Sequence, residues 1–165
     1  MRKNVSLLQI FVQINVVISY KLVQKNVDMK RNVLSKLIDW KNKKNRKPLI
    51  LNGARQVGKT YILREFGSQC YEKMAYVNCD KNKMLEKIFS QDYNISRILL
   101  SLSAILHVNI EPGNTLIIFD EIQESPTVLN SLKYFCEDAP QYHVAVAGSL
   151  LGISLHNNTS FPVGK

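Results

Sequence analysis

One stretch decides the fold of this chain: Gly53-Ala54-Arg55-Gln56-Val57-Gly58-Lys59-Thr60. It matches G-x-x-x-x-G-K-[ST], the pattern of a phosphate-binding loop. The apolar run Pro48–Leu51 precedes the loop, and a run that permits helix, Tyr61–Phe66, follows it. Because the motif works between a strand and a helix, this setting predicts a nucleotide-phosphate site at that junction.

Each residue type in the loop has a physical role. The glycines let successive backbone N–H groups turn toward an anion, and the following helix adds the partial positive charge of its N-terminus. Lys59 is expected to reach the β- and γ-phosphates, and the Thr60 hydroxyl to complete a Mg²⁺ shell. The predicted nucleotide-binding residues are Gly53, Ala54, Arg55, Gln56, Val57, Gly58, Lys59, Thr60 and Tyr61. Arg55 is assigned to loop packing or phosphate proximity, because charge-stabilising arginines usually come from elsewhere or from a neighbouring subunit.

A second motif, Leu116-Ile117-Ile118-Phe119-Asp120-Glu121, has the form of a Walker B segment. A carboxylate at the end of a buried strand can hold Mg²⁺ beside Thr60, and this role is assigned to Asp120. The adjacent Glu121 can polarise the water that attacks the γ-phosphate. The two motifs are about sixty residues apart, which leaves room for helices and one strand between them.

A third strand, Tyr142–Ala147, leads into Gly148 and Ser149. Ser149 is predicted to be the polar sensor of ATPases that insert a strand between the two Walker strands; the alternative is a serine in an ordinary turn. Lys59, Glu121 and Ser149 form the predicted catalytic set. Asn78 either orients Glu121 or is a plain polar residue at a strand end.

The acidic motif also separates classes of phosphate-loop proteins. A GTPase would show D-x-x-G and N-K-x-D, but the sequence reads Asp120-Glu121-Ile122-Gln123 and contains no N-K-x-D. The argument against a phosphotransferase is weaker. The adjacent glutamate favours water activation, and hence hydrolysis.

Apolar runs alternate with helical patterns along the chain, which predicts an α/β fold with a parallel sheet. Gly67 and Ser68 are expected to end the helix after the loop, and Asn94 or Ser96 to cap a later one. The later strands are predicted at Met74–Asp80, Thr115–Phe119 and Tyr142–Ala147. The later helices are predicted at Lys83–Ser90, from Asn94 or Ser96 to about His107, and at Thr127–Asp138.

The positive charge is concentrated in one part of the chain. The 165 residues carry a net charge of +9, and residues 1–50 hold twelve Lys/Arg against Asp28 and Asp39. The basic segment Lys41–Lys47 is either a nucleic-acid patch or a solvated loop. The loop is favoured, because no aromatic residues interleave with the charges for base stacking.

Residues 1–28 are interpreted as an N-terminal extension of unclear role, and residues 29–165 as one ATP-binding domain, since helical spacing begins after Met29. The apolar part, Ser6–Tyr20, is interrupted by polar residues and is shorter than the ~20 residues of a membrane span, so no membrane association is predicted. The three cysteines have no C-x-x-C spacing. They are typical of reduced thiols in a cytoplasmic protein.

Five motifs in order resemble the AAA-type ATPase domain of a large, poorly characterised prokaryotic family. They are Leu51–Thr60, Leu116–Gln123, Ser131–Phe135, Ala147–Gly152 and Ser160–Lys165. The resemblance covers roughly Met29–Lys165. It implies a three-layer P-loop sandwich of the AAA-like type with an additional strand, a five-stranded sheet, and binding and hydrolysis of ATP with Mg²⁺.

Members of that family continue past the last motif into a further strand and a second domain, whereas this chain ends at Lys165. A C-terminally truncated copy or a fragment is therefore expected, with the first strand left as an exposed sheet edge. No arginine finger can be located. Nucleotide binding is favoured over turnover, and a protein partner or a second copy would supply what is missing.

The leading hypothesis is thus an ATP-binding module of the AAA type whose hydrolysis is impaired unless it is completed by other elements. One alternative is a phosphotransferase that uses the same loop. Another is a nucleotide-independent module that binds DNA or a protein partner through the basic N-terminal segment.

Overall fold

The computed structural model describes residues 31–149. Residues 31–41 are helical (α1), and the chain divides into two units between Leu37 and Ile38. All features below lie in the second unit. The predicted extension at residues 1–28 and the motif Ser160–Lys165 lie outside the described residues. Within residues 31–149, no helix has both the length and the apolarity needed to span a bilayer.

Four parallel strands form the sheet: β1 (Leu49–Gly53), β2 (Lys73–Asn78), β3 (Thr115–Asp120) and β4 (His143–Ser149). Their order is β1-β4-β3-β2, so the last described strand lies between the strands next to the two predicted Walker motifs. The prediction of a parallel α/β fold with an inserted strand is therefore confirmed. Any fifth strand would lie outside the described residues.

The register brings all strand ends to the same side. Gly53 pairs with Ser149, and Asn78 pairs with Asp120. We call this side the carboxyl edge of the sheet, and the opposite side, where the strands begin, the amino edge.

The helices are α2 (Lys59–Cys70), α3 (Lys83–Phe89), α4 (Ile95–Leu106) and α5 (Pro126–Asp138), with a 3₁₀ turn at Ile122–Glu124. The sequence predicted a cap for α4 at Asn94 or Ser96. The structure selects Asn94, whose side chain accepts a hydrogen bond from Arg97 N. The helix ends at His107, which adopts the left-handed conformation.

The prediction that α2 stops at Gly67 and Ser68 is wrong, because the helix continues to Cys70. Gly67 is buried inside it. A Cβ at this position would overlap Met74 Sδ and lie 2.7 Å from Met74 Cγ. The glycine therefore allows the helix to approach β2 closely, and does not terminate it.

The core follows the two central strands. All six residues of β3 are buried, as the continuous apolar run predicted, and so are the first six of β4. The Phe119 ring meets Phe89 edge-on at 5.8 Å between centroids. These two strands are therefore buried almost along their whole length, and their carboxyl ends carry Asp120 and Ser149.

Candidate nucleotide site

The loop between β1 and α2 is shaped by two residues with positive φ. Gln56 has φ 63° and Gly58, the N-cap of α2, has φ 86°. A Cβ at Gly58 would meet nothing within 4 Å, so conformation, and not space, requires glycine there. Left-handed residues so close together curl the backbone and turn its N–H groups inward.

The start of α2 is electrostatically suited to an anion. No acidic residue occupies its first turn, so the partial positive charge of the helix terminus is not neutralised. The Lys59 ammonium donates to the carbonyls of Gly53 at 3.1 Å and Ala54 at 2.7 Å. A phosphate would form stronger, charge-assisted bonds with this ammonium than these neutral carbonyls do.

Asp120 connects the two predicted Walker motifs. The residue is 5% exposed, and its Oδ2 accepts hydrogen bonds from Thr60 Oγ1 at 2.8 Å and from Tyr76 OH at 2.8 Å. Oδ1 accepts from Glu121 N at 3.0 Å. Three donors satisfy a buried charge that would otherwise be costly. The structure thus brings together two predicted metal ligands from distant parts of the sequence.

Glu121 and Ser149 are connected through a residue that the sequence did not single out. Glu121 is left-handed, with φ 50°, and its Oε2 accepts from Gln123 Nε2. Gln123 Oε1 accepts from Ser149 N at 3.1 Å. Glu121 and the end of β4, both predicted to be catalytic, are therefore one side chain apart.

A family model described as an AAA domain matches residues 45–165, which is most of the chain. The chain belongs to this AAA domain family. It is accordingly a nucleotide-binding module of the P-loop type. A search of curated proteins and a search of solved structures found no match.

The ligand chemistry of this AAA domain fits Mg²⁺. Thr60 and Asp120 place a hydroxyl and a carboxylate side by side, and Mg²⁺ prefers such hard oxygen ligands, usually with only one or two carboxylates. Across residues 31–149, no group of three or more His, Cys, Asp and Glu side chains is arranged to hold a metal. A site completed by phosphate oxygens and water needs no such group.

Tyr76 is a second residue that the sequence analysis missed. Burial and the hydrogen bond to Asp120 raise the pKa of its phenol, so the group stays protonated and keeps donating. The Arg64 guanidinium lies 3.9 Å from the centre of its ring. The period of two in a strand places Tyr76 on the same face as Asn78, and the register of β2 with β3, which only the structure shows, sets Asn78 beside Asp120.

The structure favours the simpler interpretation of Asn78. Its Oδ1 accepts from Asp80 N at 2.9 Å, a local turn that ends β2 two residues earlier than predicted. Gln123 takes the place next to Glu121 that Asn78 was suggested to occupy.

The remaining loop residues surround the site at the surface. Arg55 lies 3.9 Å from Glu124, and their side chains are 74% and 41% exposed, so the ion pair contributes little. Val57 and Tyr61 are also exposed.

Cys79 lies beside the site, but its thiol is unreactive. Burial, followed by the negative charges of Asp120 and Glu121, raises its pKa to about 12. A thiol that stays protonated is neither a nucleophile nor a metal ligand.

Proposed function

We propose that this AAA domain binds Mg-ATP and hydrolyses it. The observation that carries the proposal is the 2.8 Å hydrogen bond between Thr60 Oγ1 and Asp120 Oδ2. It joins the first turn after the phosphate-binding loop to the end of the Walker B strand, where Mg²⁺ is held in P-loop NTPases.

In this proposal the loop and Lys59 bind the phosphates, while Thr60 and Asp120 hold Mg²⁺. The bound ion would supply neutralisation of phosphate charge. The Lys59 ammonium exchanges its two backbone carbonyls for phosphate oxygens, and the curled loop from Gly53 donates its N–H groups.

Glu121 is proposed to orient and deprotonate the attacking water, because it follows Asp120 directly at the carboxyl edge of the sheet, where its backbone N–H donates to Asp120 Oδ1. Ser149 ends the strand beside Gly53 and is proposed to be the polar sensor of the phosphate. An arginine from a second copy or a protein partner would complete charge stabilisation. The free thiols of Cys70, Cys79 and Cys136 fit a reducing cytoplasm.

Titration with a fluorescent ATP analogue tests the proposal. We expect binding that depends on Mg²⁺, is abolished by a chelator, and weakens at least tenfold in Lys59→Ala, because a charge-assisted contact to phosphate is lost. Lys87→Ala, an exposed lysine in the last turn of α3, is the matched control and should bind like the wild type.

Release of inorganic phosphate from ATP, measured with the same variants, tests hydrolysis. Binding that is indifferent to both Mg²⁺ and Lys59→Ala would refute the nucleotide site. Nucleotide that is consumed only after an acceptor is added would instead indicate a phosphotransferase.

A further inference from the structure

Gln123 lies between two elements whose chemistry the proposed function requires. The residue is 7% exposed and belongs to the 3₁₀ turn that follows Glu121. On one side its amide faces the Glu121 carboxylate, and on the other it faces the backbone of Ser149.

The orientation of this amide follows from its partners. A backbone N–H can only donate, so the atom that faces Ser149 N must be the carbonyl oxygen of Gln123. The NH₂ group then faces Glu121 Oε2, which can accept, and lies 3.4 Å from Glu124 Oε1. Only a side chain with both a donor and an acceptor satisfies these neighbours.

The contact affects how Glu121 can act. One oxygen of the Glu121 carboxylate, Oε2, accepts a hydrogen bond from Gln123. The other oxygen, Oε1, can at the same time accept a proton from water. The Glu121 backbone already occupies the left-handed region, so a single hydrogen bond at the end of the side chain fixes its direction.

We propose that Gln123 is a positioning residue that aims the Glu121 carboxylate and ties it to the end of β4. The inference rests on the proposed ATPase function, because only hydrolysis uses the aimed carboxylate. The link continues structurally through the register of Ser149 with Gly53, the first residue of the phosphate-binding loop. Movement at the phosphate end of β4 is thereby transmitted to Glu121.

The test uses Gln123→Met in the full chain, since methionine conserves volume and removes both polar groups. We expect ATP affinity within about twofold of the wild type and a hydrolysis rate lowered about ten- to a hundredfold, the size of a lost hydrogen bond to a charged group. Gln69→Met is the matched control, because Gln69 donates to Glu65 at 3.2 Å on the exposed side of α2.

A second readout does not depend on ATP. Hydrogen exchange of the Ser149 amide, followed by NMR without nucleotide, should be faster in Gln123→Met than in the wild type or in Gln69→Met. Unchanged exchange at Ser149 would overturn the link, and an unchanged hydrolysis rate would overturn the positioning role.

An exchange of side chains separates structure from chemistry. In the double variant Glu121→Gln with Gln123→Glu, donor and acceptor change places, and position 123 still accepts from Ser149 N. We expect slow exchange at Ser149 together with hydrolysis no faster than in Glu121→Gln alone. Fast exchange in the double variant would contradict the hydrogen-bond assignment. If the wild type bound and consumed no ATP, the proposed function would fail, while the exchange data would still decide whether the link exists.

Discussion

The two edges of the sheet are built from opposite chemistry. At the carboxyl edge, polar side chains from α2 and β2 donate hydrogen bonds to Asp120 at the end of β3. At the amino edge, four rings pack edge-on with centroids 5.3–6.2 Å apart. We call this group the aromatic cluster; it consists of Trp40, Phe66, Tyr71 and His143.

Hydrogen bonds also stabilise the aromatic cluster. Trp40 Nε1 donates to Lys47 O at 2.8 Å, and Tyr71 OH lies 2.6 Å from His143 Nδ1. Lys41 donates to Cys70 O and lies over the Tyr71 ring, so part of the basic segment stabilises the fold. The difference between the edges suggests that one end of the sheet carries stability and the other carries chemistry. Substitutions should separate these two properties.

The largest effect is expected from Trp40→Ala. Trp40 is 8% exposed and contacts both Phe66 and His143, so its removal should lower the free energy of unfolding by about 3–5 kcal/mol. Urea denaturation measures the loss. Trp40→Phe should recover more than half of it, and the ATP affinity of the folded fraction should not change. A Trp40→Ala protein that is as stable as the wild type but no longer binds nucleotide would contradict the assignment of stability to the amino edge.

Asp120→Asn, at the carboxyl edge, should weaken nucleotide binding and change stability little. Removing the negative charge abolishes the Mg²⁺-dependent part of nucleotide binding, an effect of about tenfold or more. The free energy of unfolding should change by only about 1 kcal/mol, because the cost of burying the charge disappears and the rotatable hydroxyls of Thr60 and Tyr76 can donate to or accept from the Asn side chain. Calorimetric titration with and without Mg²⁺ checks the first effect. An unfolded Asp120→Asn protein would show that this edge also carries stability.

The smallest effect is a pH dependence at the amino edge. Burial, followed by the positive charges of Arg46 and Lys41, lowers the pKa of His143 from 6.5 to about 4. Between these values the unfolded chain binds more protons than the folded protein does, so stability rises with pH and is lost as pH falls from 6.5 toward 4.

We expect a loss of about 1–2 kcal/mol across this window, less than the full shift implies, because the surroundings rearrange as the ring becomes charged. Urea denaturation from pH 7 to pH 4 measures the free energy of unfolding, and the difference between wild type and His143→Gln isolates the contribution of His143. His107→Gln, at the exposed end of α4, is the control substitution. An identical pH profile for wild type and His143→Gln would rule out the effect.

The backbone of the site could be predicted from the sequence because its signals are local. The loop motif, the buried run before Asp120 and the strand before Ser149 each lie within about ten consecutive residues. The strand order followed from a topology typical of one ATPase class, and the structure confirms it.

The side-chain contacts could not be predicted in the same way. Tyr76 lies outside the motifs and meets Asp120 only once β2 pairs with β3. Gln123 is the last residue of the motif Leu116–Gln123, but its bond to Ser149 N forms only once β4 joins the sheet. Gly67 was misread because a glycine that ends a helix and a glycine that admits a neighbour look identical in sequence. The distinction depends on Met74, which belongs to the next strand.

The position of β4 has a consequence for how the protein is made. β1 pairs only with β4 among the described strands, and their register joins Leu49 to Ala145, with most of the described chain between them. Closing such a long loop is slow, and strands are synthesised in sequence order. On the ribosome, β2 and β3 can therefore pair early, whereas β1 and its phosphate-binding loop must wait for β4. The nucleotide site is therefore completed only after β4 has been synthesised.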